Sequence, residues 1–229
     1  MFARIAGRYD LLNRVLSLGT DQRWRRHCVR RAGAVEGKLV VDACCGTGDL
    51  AAAFQRAGAR VVGVDFTPEM LRGAMEKLPN REGGLLACGD CLRLPLLSGT
   101  ADLCSVAFGV RNLADAERGL AELTRVLRPG GRLLVLEFST PRGAFLGRVY
   151  RGYFTRLLPW IGRLVSRDAN AYQYLPRTVL AWPAPEEFRA RMERAGLVDC
   201  GFELLTHGIA CLHWGSAPVM KGANGEELA

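Results

Sequence analysis

A chain of 229 residues with 49% hydrophobic content can build one domain with a full core, and it has no run of ~18 apolar residues that would cross a bilayer. The start, Met1-Phe2-Ala3-Arg4, lacks a signal-peptide pattern, and the eight cysteines are scattered; both features argue against a disulfide-stapled secreted scaffold and lead to the expectation of a cytoplasmic protein. The net charge of +8 is uneven: residues 1–31 hold eight arginines against Asp10 and Asp21, residues 141–167 hold six arginines and no acid, and the remainder carries −4. Two basic segments outside a mildly acidic core point to an anionic partner such as acidic lipid headgroups, nucleic acid or an anionic substrate.

Residues 1–31 read as a helical cap, with Ile5, Tyr9, Leu12, Val15 and Leu16 on one stripe. Lys38–Asp42 is the first predicted strand, and Leu50–Arg56 a helix ended by Gly58. Arg60–Val64 is a second strand closed by Asp65, and Pro68 starts a helix to about Leu78. Gly84–Cys88 and Ala101–Phe108 are the third and fourth strands. Asp115–Leu127 is an amphipathic helix, which Pro129-Gly130-Gly131 breaks before the strand Arg132–Phe138. Residues 140–182 form an insertion rich in aromatic residues and arginine, without a strand pattern. A helix over Pro185–Ala195 follows, then strands near Leu197–Leu205 and Gly208–Trp214 and a loose tail from Ser216 (216–229). Residues 1–215 read as a single domain. Cys28, Cys44, Cys104 and Cys211 lie in or beside apolar runs and read as buried thiols.

Strand–helix alternation predicts a doubly wound, mostly parallel sheet with helices on both faces. Ligands then bind beyond the carboxyl ends of the strands, where the strand order reverses. Asp42, Asp65, Asp90 and Phe108 all fall at or just past such ends. Between the first strand and its helix lies Gly46-Thr47-Gly48, a turn whose glycines let the backbone approach a ligand and whose following helix offers unpaired N–H groups.

The run Gly46-Thr47-Gly48-Asp49-Leu50-Ala51 fits the loose dinucleotide fingerprint, and Asp65 lies 19 residues past Gly46, so a nicotinamide-dependent dehydrogenase competes at this point. Three features favour a cationic aminoacyl-sulfonium ligand instead. Asp42 would repel a pyrophosphate at the turn; Gly89-Asp90-Cys91 adds an acid suited to an adenine amine; and Arg128–Arg132 leads into a late strand able to pair with a C-terminal antiparallel hairpin. Asp49, in the first turn of a helix, reads as a cap. At these residues the chain resembles the class I S-adenosylmethionine-dependent methyltransferases, whose fold is a seven-stranded Rossmann-like sheet. The resemblance implies that Asp42 and the Gly46–Gly48 backbone hold the methionine end, with Thr47 in that turn. It also implies that Asp65 takes the ribose hydroxyls, that Met70 packs on adenine, that Asp90 binds the exocyclic amine, and that Cys91 and Phe108 line the cofactor site. Cys44 stands where that pattern has Gly or Ala. The adjacent thiols Cys44-Cys45 seldom bridge one zinc and have no His nearby in sequence, and Cys88-x-x-Cys91 lacks a second pair at matching distance, so no metal is expected.

Four further segments narrow the resemblance: Arg8–Asn13 (RYDLLN), Phe108–Asn112 (FGVRN), Leu134–Ser139 (LVLEFS) and Asp168–Leu175 (DANAYQYL). Together they resemble the menaquinone/ubiquinone biosynthesis C-methyltransferases, from about Ala3 to Gly215. A Ser that often precedes the Phe-Gly pair in that family is Ala107 here. The resemblance implies C-methylation of a prenylated quinol, demethylmenaquinol before a benzoquinol or another small phenol. For that chemistry Arg111 suits stabilisation of a developing phenolate, Asn112 the second ring oxygen, Tyr9 closure of the site, and Asp168 (or an ordered water) the base. A surface cation and a core aromatic are the plain readings of Arg111 and Tyr9. His207 and His213 read as structural.

In the insertion, Phe145, Leu146, Val149, Tyr153, Leu157, Trp160, Ile161 and Leu164 recur at near-helical spacing beside arginines, with Pro159 interrupting. This segment suits a greasy tunnel, a peripheral contact with anionic membrane at its inner face, plain core, or a homodimer face. Nucleic acid is not the expected partner, since no base-flipping motif or separate nucleic-acid module occurs. A protein that binds the cofactor without catalysis remains the third functional class.

Overall fold

In the computed structural model, which describes residues 10, 14, 17, 19–78, 83–143, 148, 152 and 177–219, the alternating pattern forms a seven-stranded sheet. Its strands are β1 (Leu39–Ala43), β2 (Arg60–Asp65), β3 (Gly84–Cys88), β4 (Ala101–Ala107), β5 (Leu127–Phe138), β6 (Val198–Leu205) and β7 (Ala210–Ser216). The helices are α1 (Thr20–Ala32), α2 (Asp49–Arg56), α3 (Pro68–Lys77), α4 (Ala116–Val126) and α5 (Pro185–Arg194). The spatial order is β3-β2-β1-β4-β5-β7-β6. The first five strands run parallel, and β7 pairs antiparallel with both β5 and β6. The order reverses between β1 and β4, so the crevice at their carboxyl ends is the ligand position this topology creates.

The central strands are nearly continuous apolar runs because both faces are covered. On one face Val40, Val61, Leu103 and Leu134 pack with Trp24 and Cys28 of α1 and Leu50 and Phe54 of α2. On the other, Val41, Cys104, Leu133 and Val135 pack with Leu120 and Leu123 of α4 and Phe188 and Met192 of α5. These apolar faces are what fix the register, since a one-residue slip would exchange them.

Local chemistry sets the ends of the elements. Helix α2 stops in a Schellman motif: Gly58 is left-handed (φ 87°), its N–H donates to Gln55 O, and the Ala59 N–H reaches back to Phe54 O. Pro68 opens α3, and the Asp115 carboxylate accepts from the Arg118 N–H to cap α4.

Two boundary expectations are corrected. The N-terminal helix is not one piece, because Gly19 turns left-handed (φ 72°) and α1 starts after it at Thr20. The Pro129-Gly130-Gly131 break lies inside β5, which begins at Leu127: Leu127 is in register with Ala101, and the Gly130 N–H donates to Ala217 O across a bulged start. The thiols of Cys28, Cys104 and Cys211 are buried as expected, whereas Cys44 is only half-buried. The stripe from Ile5 to Leu16, the apolar residues from Phe145 to Leu164, Pro159 and the end of the tail lie outside the described residues. No helix among those described is long and apolar enough to cross a membrane.

Candidate active site

The chain leaves β1 through a left-handed Cys44 (φ 52°), then Gly46 (φ 56°) and Gly48 (φ 78°), and enters α2 at Asp49. The two glycines do different work. A Cβ on Gly46 would meet nothing within 4 Å, so its backbone is open to a ligand. A Cβ on Gly48 would sit 2.9 Å from that of Ala74, so this glycine also makes room for α3. Cys44 holds a conformation that costs a side chain about 1–2 kcal/mol. Its Sγ lies 3.3 Å from Cys91 Sγ, and its N–H donates to that sulfur at 3.2 Å. Cys91 therefore turns toward the glycine turn.

Asp42 projects from β1 beside Ser105 of β4, its register partner, and the Ser105 hydroxyl donates to Oδ1 at 2.7 Å. The residue is 1% exposed, and Oδ2 has no hydrogen-bond partner among the described residues. Burial pushes this carboxyl up to about 7, against the pull of Ser105, the Arg25 charge and the Ala51 N–H, with Asp65 adding to the rise. A buried acid lacking one partner is a strong acceptor for an ammonium or sulfonium group.

Asp65, at the end of β2, accepts from the Gly46 N–H and the Thr67 N–H, both at 2.8 Å. It ties the glycine turn to the start of α3 and, as a carboxylate, keeps lone pairs for hydroxyl donors. Asp90 accepts from the Leu92 N–H at 2.8 Å in a turn beyond β3 and is exposed. Each acid thus also caps a turn. Met70 is 2% exposed in the first part of α3. Phe108 turns left-handed (φ 60°) at the end of β4, 4.6 Å from the Phe138 ring and 6.1 Å from that of Trp24.

A polar network crosses the turn. The Thr47 hydroxyl donates to Asp10 Oδ1 (2.6 Å) and accepts from Lys77 Nζ (2.9 Å). Lys77 also pairs with Asp10 Oδ2 at 2.5 Å and Asp49 Oδ1 at 2.6 Å, and Gln22 of α1 donates to Asp49 Oδ2 at 3.0 Å. The Thr47 side chain is therefore occupied by protein partners. Asp49 is a bridge and not the expected cap: burial would raise its pKa, but Lys77, Arg25 and Gln22 together hold it below its usual value.

Arg111 lies in a short 3-10 turn, Val110–Asn112, after β4. Its side chain is 7% exposed, which excludes the surface-cation reading, and Nη1 donates to Oε2 of the fully buried Glu137 at 2.5 Å. Its Nε is enclosed with no hydrogen-bond partner among the described residues, and the guanidinium lies 5.2 Å from the Phe138 ring centre. Asn112 donates from Nδ2 to Phe108 O at 3.1 Å. Cys44 and Gly109 touch: a Cβ on Gly109 would lie 2.4 Å from that of Cys44, so the Arg111 loop is seated on the glycine turn. Tyr9 and Asp168 lie outside the described residues. His213 donates from Nε2 to Pro185 O at 3.1 Å in the core of the C-terminal hairpin, a structural role.

Four contributors were not singled out from the sequence. Glu137 was marked only by being an acid inside the apolar run Leu134–Phe138. Ser105, Lys77 and Arg25 gave no local signal. Among the described residues, no group of three or more His, Cys, Asp or Glu side chains is arranged to hold a metal ion. A cavity of about 510 Å³ lies between α1 and α2, lined among others by Gln22, Arg25, Arg26, Arg30 and Arg56.

The residues present suit S-adenosylmethionine: an open glycine turn, a buried acid with one unpartnered oxygen, and two more acids at successive strand ends. Comparisons agree. The family model described as the ubiE/COQ5 methyltransferase family matches residues 1–217. A demethylmenaquinone methyltransferase of Thermus thermophilus is 52% identical over 95% of this chain and 100% of that protein. A ubiquinone/menaquinone biosynthesis C-methyltransferase UbiE of Syntrophotalea carbinolica is 47% identical over 94% and 92% of the two chains. Among solved structures, a SAM-dependent methyltransferase of Thermotoga maritima superposes with a TM-score of 0.66 at 20% identity, covering 94% of this chain and 97% of that one. Phosphoethanolamine N-methyltransferase 2 of Haemonchus contortus, in complex with S-adenosyl-L-methionine, gives 0.65 at 14% identity, over 86% of this chain and 52% of that one. At such identities these structures speak to the fold, which they share.

Proposed function

Because the chain belongs to the ubiE/COQ5 methyltransferase family and is an S-adenosylmethionine-dependent C-methyltransferase, we propose that it methylates a ring carbon of a prenylated quinol, demethylmenaquinol, to give menaquinol. S-adenosylmethionine, when bound, supplies a methyl group on a positively charged sulfur. Asp42 and the Gly46 backbone would hold its aminoacyl end, and Asp65 and Asp90 its ribose and adenine. The protein's own work is to position the acceptor, keep water out, and favour the phenolate form of the ring, in which the neighbouring carbon is nucleophilic.

The observation that carries this reading is the enclosed Arg111, with Glu137 fixing its guanidinium and Nε left as an unpaired donor. A fixed cation in a desolvated crevice stabilises a developing oxyanion far more than the same charge in water. In this reading Asn112 serves the second ring oxygen, Tyr9 closes the site, and Asp168 or a water takes the phenol proton. The two arginine-rich segments support a peripheral contact with anionic membrane, the medium in which prenylated quinols dissolve.

The test is methyl transfer to reduced short-chain demethylmenaquinone and to the matching benzoquinol, with products identified by mass spectrometry. Preferential methylation of the naphthoquinol supports the proposal, and preferential benzoquinol methylation moves the acceptor to the ubiquinone series. Methylation of neither, with transfer to RNA instead, refutes it. Flotation with anionic vesicles tests the membrane contact, which fails if no protein floats with or without quinone in the vesicles.

A further inference from the structure

Arg25 is the buried cation that the fold and the proposed chemistry leave unexplained. It sits on α1 at 7% exposure, one helical turn beyond Gln22, whose side chain reaches Asp49 at the start of α2. Its Nε is enclosed with no hydrogen-bond partner among the described residues. The nearest acid oxygen, Asp21 Oδ2, is 3.9 Å away, beyond hydrogen-bond range, and already accepts from Gln22 at 3.2 Å. The other Asp21 oxygen is taken by the Ser17 hydroxyl at 2.7 Å. The guanidinium lies 5.3 Å from the centre of the Phe108 ring, which stands at the carboxyl end of β4. A buried guanidinium with its fork so poorly satisfied is expensive unless an anion completes it.

The surroundings define what kind of anion fits. Arg25 lies against Phe108, and its charge reaches Asp49 in the first turn of α2, where the unpaired N–H groups of the helix add a second attraction for negative charge. The acid in that first turn, Asp49, does not oppose an incoming anion strongly, because Lys77 neutralises it at 2.6 Å. Across the same turn Asp42 presents an unpartnered carboxylate oxygen. The field of Arg25 reaches both acids, among the influences on Asp42 and Asp49 given above. A lone acceptor and a lone fork on two sides of one turn match a zwitterion.

We propose that Arg25 receives the α-carboxylate of the methionine moiety of S-adenosylmethionine, with Asp42 taking the α-ammonium, so that α1 is part of the cofactor site. This assignment rests on the cofactor reading above and extends it to a residue of the N-terminal segment. It predicts that the protein discriminates S-adenosylmethionine from its decarboxylated counterpart, which keeps the nucleoside, sulfonium and amine.

The experiment measures binding of both ligands to the full chain by calorimetry, for wild type, Arg25→Met and Arg25→Lys. Wild type is expected to bind S-adenosylmethionine about 10–100-fold more tightly than the decarboxylated ligand, the range for a charge-assisted bidentate pair. Arg25→Met should bring the two affinities together by weakening only the carboxylate-bearing ligand, and Arg25→Lys should keep part of the preference. Equal weakening of both ligands by Arg25→Met, or a preference that survives it, overturns the assignment by showing a structural role. Should Arg25→Met fail to fold, the wild-type preference and its reduction in Arg25→Lys decide the matter. Wild type that binds S-adenosylmethionine with no preference overturns the assignment alone. Wild type that binds neither ligand overturns the cofactor reading and this assignment with it.

Discussion

Arg111 and Glu137 form a 2.5 Å ion pair between the loop after β4 and the penultimate residue of β5, and their side chains are 7% and 0% exposed. The pair is closed on the Glu137 side, where Oε1 also accepts from the Arg111 N–H at 3.3 Å. It is open on the arginine side, where Nε has no described partner. Glu137→Ala would leave a buried charge uncompensated and should cost about 3–5 kcal/mol in chemical denaturation. Glu137→Gln, which keeps the shape, should lower kcat on the order of tenfold or more while the affinity for S-adenosylmethionine stays nearly constant. An unchanged kcat in a folded Glu137→Gln protein would remove Glu137 from the proposed positioning of Arg111.

The carboxyl of Asp42 ionises near pH 7 in the free protein because burial opposes its charge. A cationic ligand favours the ionised form, so binding should release a proton. Affinity for S-adenosylmethionine is therefore expected to rise with pH up to about 7, by as much as about tenfold per pH unit below it. Asp42→Asn should flatten that dependence and abolish the proton release, read as buffer-dependent heat in calorimetry. Without ligand the sign for stability is the opposite of a salt-bridged acid. The folded pKa is raised, so the contribution is fully present below the unfolded value of 3.8 and is lost as pH climbs through about 7.

His213 answers to the same pH range in the other direction. Its pKa is lowered to about 4, mainly by burial, and partly restored by its bond to Pro185 O. The neutral ring is the folded form, so stability is present above the unfolded pKa of 6.5 and falls as pH drops toward 4, by on the order of 3 kcal/mol in all. Thermal melts from pH 7 to 4 should show this limb, and His213→Leu should flatten it. The Asp42→Asn background should steepen the fall, since the opposing contribution is then gone. Equal slopes in all three proteins would contradict both assignments.

Lys77 joins Asp10 and Asp49 across the glycine turn. Lys77→Met leaves the two acids and the Thr47 hydroxyl without their shared cation. Because these groups are partly exposed, the stability loss should be modest, about 1 kcal/mol. The larger effect should be weaker binding of S-adenosylmethionine, by severalfold, as Asp10 and Asp49 are no longer tied together across the turn. Hydrogen exchange at the amides of residues 46–50 should speed up; unchanged protection there would argue against this bracing role.

Cys44 and Gly109 are complementary, one a side chain where the backbone prefers glycine and the other a glycine with no room for a side chain. Gly109→Ala drives its new Cβ into Cys44 and should destabilise by about 1–3 kcal/mol. Cys44→Gly relieves the left-handed strain and opens that space. The double variant should therefore recover a large part of the loss, giving a coupling energy above about 0.5 kcal/mol in a double-mutant cycle. Additive effects would show that Val106, 2.9 Å from the same Cβ position, is the real obstacle.

The sequence by itself determined the strand–helix alternation, the glycine turn, and the acids at or just past the ends of the first three strands. Those are properties of short stretches: apolar runs, turn chemistry and a polar residue where a run stops. It also carried the family resemblance, through segments such as Phe108–Asn112. Where local rules competed it erred, by running the cap helix through Gly19 and by starting β5 only after Pro129-Gly130-Gly131, which pairing of Leu127 with Ala101 and of Gly130 with Ala217 overrides.

Only the tertiary structure decided who partners whom. Asp42 meets Ser105 because β1 and β4, 63 residues apart at this contact, are register neighbours. Arg111 meets Glu137 because β4 delivers its loop beside the end of β5. Helix α1 lays Arg25 against Phe108, and Asp10 and Lys77 meet over Thr47. These contacts follow from sheet order and helix packing, which are set by burying apolar faces along the whole chain. No local pattern of polar residues encodes them, and so the acids were legible in the sequence while the charges that tune and complete them were not.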